Sequence, residues 1–163
     1  FAMSCDVAAA AFLFLAASGP GHAGPVVRIE APAAAPISAL AREPLFADIV
    51  RKAAQLKADT ESYRLETAKA ASAPLALPRF DDFQAGIGAL SDLDMKGHLE
   101  LAKRGTDGDL KCILRGISQD LPKKLADLTA AKTAPDQDQA LRVMSYLLND
   151  NVEFITAPPA PPV

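Results

Sequence analysis

A chain of 163 residues and 17.1 kDa has room for one domain with tails. It is 50% hydrophobic but only 6% aromatic and has no tryptophan; alanine is abundant and β-branched residues are scattered, which disfavours a β-sandwich or a doubly wound sheet. Seventeen basic against twenty acidic residues give a net charge of −3, so the basic surplus with which nucleic-acid binders neutralise phosphate is missing.

Residues 1–23 read as an export remnant. Val7 to Ser18 is uncharged and apolar, and as a helix it would span roughly 18 Å, short of the ~30 Å hydrocarbon core. Gly21-His22-Ala23 places small residues at −3 and −1 of a cut before Gly24. Residues 1–27 hold no lysine or arginine and the chain starts at Phe1, so we expect a basic, two-part leader upstream. A retained apolar tail docked in a partner's groove is the alternative. Cys5 precedes the apolar run, whereas a lipidated cysteine would follow it. Residues 24–43 form a Pro/Ala-rich linker, extended over Pro25–Pro36.

Residues 44–156 carry the fold. The first helix opens at Pro44, whose missing N–H costs nothing in the first turn. Leu45, Ile49, Ala53, Leu56 and Tyr63 then line one face, to about Ala71, before Pro74 and Pro78 stop it. A second helix starts near Arg79, with Phe80, Phe83, Ile87 and Leu90 as its stripe. Gly86 and Gly88 weaken it, and Ser91-Asp92 is a point where a separate helix restarts and runs to Lys103 before Gly105. The third follows Thr106-Asp107, with Leu110, Ile113, Leu114, Ile117, Leu121, Leu125 and Leu128 close to one line; Pro122 should kink or divide it. The fourth starts at Pro135-Asp136, with Gln139 completing a capping-box-like pattern, and Ala140, Leu141, Met144, Leu147, Leu148, Val152 and Ile155 form its face. Short connections make neighbours antiparallel. The expected fold is all-α, an up-down antiparallel four-helix bundle with an extended N-terminal segment and a Pro-rich tail over 157–163.

Little in the pattern points to catalysis. His22 leaves with the leader, and His98 reads as a hydrogen-bonded core or boundary histidine. Asp107-Gly-Asp109 resembles a fragment of a calcium loop but has Ser118 where a bidentate glutamate belongs, so it reads as a helix start. Asp81-Asp82 and the pair Asp92 and Asp94 read as first-turn acids that complement a helix dipole. No phosphate loop, nucleophile elbow or cysteine–histidine zinc spacing is present. The expectation is no enzyme, no cofactor and no metal. Cys112 points away from the apolar stripe of the third helix, as do Lys111, Arg115 and Lys123. These three basic residues are the candidate partner-docking face, beside the plainer reading of a solvated helix surface; neighbouring cations would also favour a Cys112 thiolate.

The long helix PLFADIVRKAAQLKADTESYRLETAKAA and the stretch DLPKKLADLTAAKTAPDQDQALRVMSYLLNDNVEFI, behind a small-residue cleavage site and a Pro-rich start, resemble the PsbQ-like extrinsic proteins of photosystem II, red-lineage algal type. The resemblance covers the bundle and is architectural. It implies a non-catalytic subunit in the thylakoid lumen of the chloroplast, peripheral to the membrane and not spanning it. Such a subunit stabilises the oxygen-evolving centre and its calcium and chloride retention. Its partners would be lumenal loops of the photosystem core and other extrinsic subunits. Two other classes stay open: an exported helical binding or scaffold protein of the bacterial periplasm, and a small enzyme built on Cys112 or His98.

Overall fold

The computed structural model describes residues 38–105 and 108–157. Four helices follow a short 3-10 turn at Leu40–Arg42: α1 Pro44–Thr67, α2 Phe80–Lys103, α3 Leu110–Ala130 and α4 Ala134–Thr156. Each packs on its neighbours round a square, α1 on α4 and α2, and α3 on α2 and α4. The up-down four-helix bundle expected from the sequence is the fold. The expectations for residues 1–37, the extended Pro25–Pro36 stretch among them, and for 158–163 lie outside the described residues.

The core follows from a seam on each helix. On α1 the buried positions are Phe46, Ile49, Ala53, Leu56, Thr60, Tyr63 and Thr67, alternating steps of three and four. On α2 they are Phe83, Ile87, Leu90, Asp94, Gly97 and Leu101. Leu114, Ile117, Leu121 and Leu128 serve α3, and Leu141, Met144, Leu148, Asn151 and Ile155 serve α4. Steps of this kind keep one stripe facing the bundle axis over many turns. At Gly97 an added Cβ would lie 3.0–3.3 Å from Leu114, Ile49 and Phe46, so the missing side chain lets three helices close together.

Four features depart from expectation, each for a local reason. α1 ends at Thr67, four residues before Ala71, because the loop after it is held by α4. The Gln137 side-chain amide accepts from the Leu75 N–H and donates to the Leu75 carbonyl, both at 2.9 Å. Ala134 N–H also donates to the Ser72 carbonyl at 2.8 Å. α2 does not restart at Ser91: it runs unbroken through Gly86 and Gly88, since the propensity penalty of about 1 kcal/mol per glycine is smaller than the burial of Phe83, Ile87 and Leu90. Of the two outcomes expected at Pro122, division of α3 does not occur. Proline lacks the N–H that would reach the carbonyl four residues back, which is that of Ser118, and the Ser91 hydroxyl of α2 donates to that carbonyl instead. Finally, α4 is capped three residues earlier than the sequence suggested: the Thr133 hydroxyl accepts from the Asp136 N–H at 3.2 Å and donates to its carboxylate at 2.6 Å.

The ends are tied as well. Ser38 N–H donates to the Thr156 carbonyl at 2.9 Å and its hydroxyl donates to the Ile155 carbonyl, so the chain entering α1 caps the last turn of α4. Arg104, just past α2, donates from its two terminal guanidinium nitrogens to Glu43 at 2.7 and 2.9 Å and from Nε to Glu100 at 2.9 Å, above the Phe46 ring. Gly105 then turns with φ +65, a conformation that favours glycine.

Candidate functional site

The three basic residues singled out on α3 do not share one environment. Lys111 is half-buried in the first turn, and its backbone carbonyl is bound by His98 Nδ1 at 2.6 Å. Arg115 is exposed one turn on. Lys123 is exposed too, but its ammonium pairs with Asp120 at 2.8 Å. At 100° per residue, Lys111 and Arg115 differ by about 40° around the helix, whereas Lys123 lies about 80° beyond Arg115 and roughly 12 Å farther along the axis. Lys111 and Arg115 therefore form one patch at the start of α3, and Lys123 is a separate, locally neutralised charge.

The other candidates resolve into structural roles. His98 is the boundary histidine expected, half-buried and bridging α2 to α3. Cys112 is half-buried and is not a free thiol, which removes the reactive-thiolate reading. Asp81 and Asp82 occupy the first turn of α2, where a carboxylate complements the helix dipole, and Asp82 pairs with Arg79 at 3.2 Å. Asp107 lies outside the described residues, and Asp109 precedes the first turn of α3. Among the described residues no group of three or more histidines, cysteines or carboxylates is placed to hold a metal ion, and no helix is long and apolar enough to cross a membrane.

Asp94 corrects its expected role. Because α2 is continuous, Asp92 and Asp94 are mid-helix residues, not first-turn acids. Asp92 faces outward and Asp94 is fully buried. Its carboxylate accepts from Asn151 Nδ2 at 3.0 Å, across the diagonal of the bundle from α2 to α4, and Asn151 is fully buried too. The second oxygen of each group, Oδ1 in both cases, is buried with no hydrogen-bond partner. Burial pushes the Asp94 carboxyl up to about 7, against the opposing pull of the Asn151 amide.

A second polar strip closes the α1–α4 contact at the surface. Lys57 donates to Asn149 at 2.5 Å, Ser145 donates to Glu61, and Arg64 reaches Asp138 at 3.2 Å and Glu61 at 3.1 Å. Arg142 also pairs with Asp138 at 2.7 Å. The Arg142 hydrogen bond and then Arg64 hold the Asp138 carboxyl below the usual carboxylate range. Where α1 and α2 meet less closely, an open cleft of about 840 Å³ has Leu56, Tyr63, Phe83 and Gly86 among its lining residues, with Arg51, Arg79 and Asp82 around them. Three cations line it, Arg51, Lys52 and Arg79; Arg51 is paired with Asp48 and Arg79 with Asp82, and Asp59 faces the same cleft as Lys52, so the lining carries both signs of charge.

Comparison with protein-family models, with curated proteins and with solved structures finds no match to this chain.

Proposed function

We propose that this protein is a non-catalytic extrinsic subunit of photosystem II on the lumenal side of the thylakoid membrane. In that role it binds core lumenal loops and other extrinsic subunits and stabilises the oxygen-evolving centre with its calcium and chloride. The observation that supports this reading is the division of labour in the bundle. Asp94, His98 and Asp138, side chains of the kind that do chemistry elsewhere, make internal ties here, while Arg115, one turn into α3, is exposed. Docking through such a cation is electrostatic, steered by acidic loops and weakened by salt.

The test is co-fractionation with detergent-solubilised photosynthetic membranes of the source, followed by a high-salt wash and reconstitution with purified protein. Migration with photosystem II, release by salt and a matching loss of oxygen evolution are the expected results. Reversing Lys111, Arg115 and Lys123 to glutamate should weaken rebinding by at least about tenfold, with Arg115 giving most of the loss. Helicity should survive, because a glutamate in the first turn of α3 complements the helix dipole. Migration with another complex, or a source without thylakoids, would replace this reading with that of an exported helical scaffold.

A further inference from the structure

We infer that Asp94 and Asn151 form a proton-binding site at the centre of the bundle, in which one proton on the Asp94 carboxyl completes a two-hydrogen-bond acid–amide ring and couples folding to pH. The inference is independent of the docking role proposed above.

The geometry leaves a specific deficit. Asn151 Nδ2 donates to Asp94 Oδ2, which leaves Asp94 Oδ1 and Asn151 Oδ1, two acceptors without a donor, in a site where neither residue touches solvent. A buried acceptor left unmade costs on the order of 1–3 kcal/mol, more if charged. A carboxylate cannot remedy this, because it only accepts. A carboxylic acid can: its O–H donates to the amide oxygen while its carbonyl oxygen keeps the bond from the amide nitrogen. One proton thus serves both orphaned oxygens and removes the buried charge.

Among the described residues no neighbouring charge competes for the site. The buried faces of α1, α3 and α4 carry a single titratable side chain, Tyr63. It packs edge-on against Phe83, about 16 Å along α2 from Asp94. On α2 itself Asp92 and Lys96 are exposed and His98 is engaged with the Lys111 carbonyl. Asp150, beside Asn151 on α4, is raised in its own right by burial and by Glu153, and it does not share the seam.

The linkage has a definite sign. The folded-state value near 7 lies above the ordinary carboxyl value of 3.8, so the folded chain holds a proton that the unfolded chain has released. The extra stability is fully present below the unfolded value and is lost as pH rises through the folded one. Across that window the folding constant falls about tenfold per pH unit. An acidic compartment keeps the site closed, and a mildly alkaline one leaves an ion in the core.

Two measurements on the full chain test this. The first is the carbon-13 titration of the Asp94 carboxyl, assigned through bonds in the wild-type protein. A midpoint within about one unit of 7 is expected, whereas a carboxyl already ionised at about pH 5 would overturn the proposal. The second is denaturant unfolding from about pH 5 to about pH 8, for wild type and for Asp94→Asn, which keeps the shape and cannot ionise. The wild-type folding constant should fall steeply and the variant's should be nearly flat. Equal slopes would overturn the coupling. If the variant fails to fold, the wild-type titration alone decides.

Discussion

The α1–α4 surface strip and the centre of the bundle each hold an aspartate, and the two are driven in opposite directions. Asp138 sits between Arg142 and Arg64, so its charged form is favoured and its proton is released easily. Asp94 is fully buried with the Asn151 amide as its hydrogen-bond partner, so its neutral form is favoured. The side chain is the same. What differs is whether a cation or a dipole meets it and whether water can reach it. A carboxylate at a cation-lined seam joins two helices as an ion, while one in the core stays as an acid that needs a specific hydrogen-bonding partner.

The largest expected effect comes from placing a carboxyl in the core without such a partner. Leu114 is fully buried and packs one turn along the seam from Asp94, against Gly97. Leu114→Asp should cost roughly 4 kcal/mol or more, from the lost packing and from a polar group with no donor. That is comparable with the whole stability of a domain this size. Loss of the cooperative thermal transition at neutral pH is expected, and a variant that melts like wild type would show that the core tolerates unpartnered acids.

Next comes removal of the partner that Asp94 has. Asn151→Ala leaves the carboxyl without its amide and opens a small cavity, at a cost of about 2–4 kcal/mol. Since the amide bond is what pulls the Asp94 value down, the variant's carboxyl should rise further. Denaturant unfolding at about pH 5 and about pH 8 should therefore show the larger loss at the higher pH. An equal loss at both would mean that Asn151 matters only for packing.

The contrast between the two aspartates was only half legible in the sequence. The four helices were plain, because apolar residues at steps of three and four leave little choice of period. Pro44 marks the start of α1 and Gly105 the end of α2. Asp94 and Asn151 were hidden by the same logic, since a search for apolar stripes skips the polar residues inside them. Yet the steps from Leu90 to Asp94, Gly97 and Leu101 are four, three and four, and continue the seam. Reading the period through the acid would have placed it in the core and kept α2 whole. Gln137 is hidden in the same way, because its bonds to the Leu75 backbone span 62 residues and exist only once the loop is in place. The Ser91 hydroxyl that serves the carbonyl freed by Pro122 lies 27 residues from its acceptor, a pairing that no local rule supplies. On the candidate docking face, helical phase placed Lys111 and Arg115 together, but it could not show that Lys123 is neutralised by Asp120.

The smallest effect belongs to the surface aspartate, and it has the opposite sign with pH. Asp138 is partly exposed and Arg142 more so, with side-chain exposures of 23% and 46%, so solvent screens the pair. Asp138→Asn should cost only about 0.5–1 kcal/mol at neutral pH. Its folded-state value is lowered, so the stability it contributes is present above the ordinary carboxyl value and is lost as pH falls through the folded one. The difference between wild type and Asp138→Asn should therefore shrink on acidification and in high salt, just where the Asp94 contribution is greatest. Unfolding curves of Asp94→Asn and Asp138→Asn against pH would then diverge from wild type at opposite ends of the acid range. If both variants converge on wild type in the same direction, one of the two carboxyls has been assigned the wrong surroundings. The salt arm identifies which, because a fully buried acid–amide pair is screened far less than an ion pair at the surface.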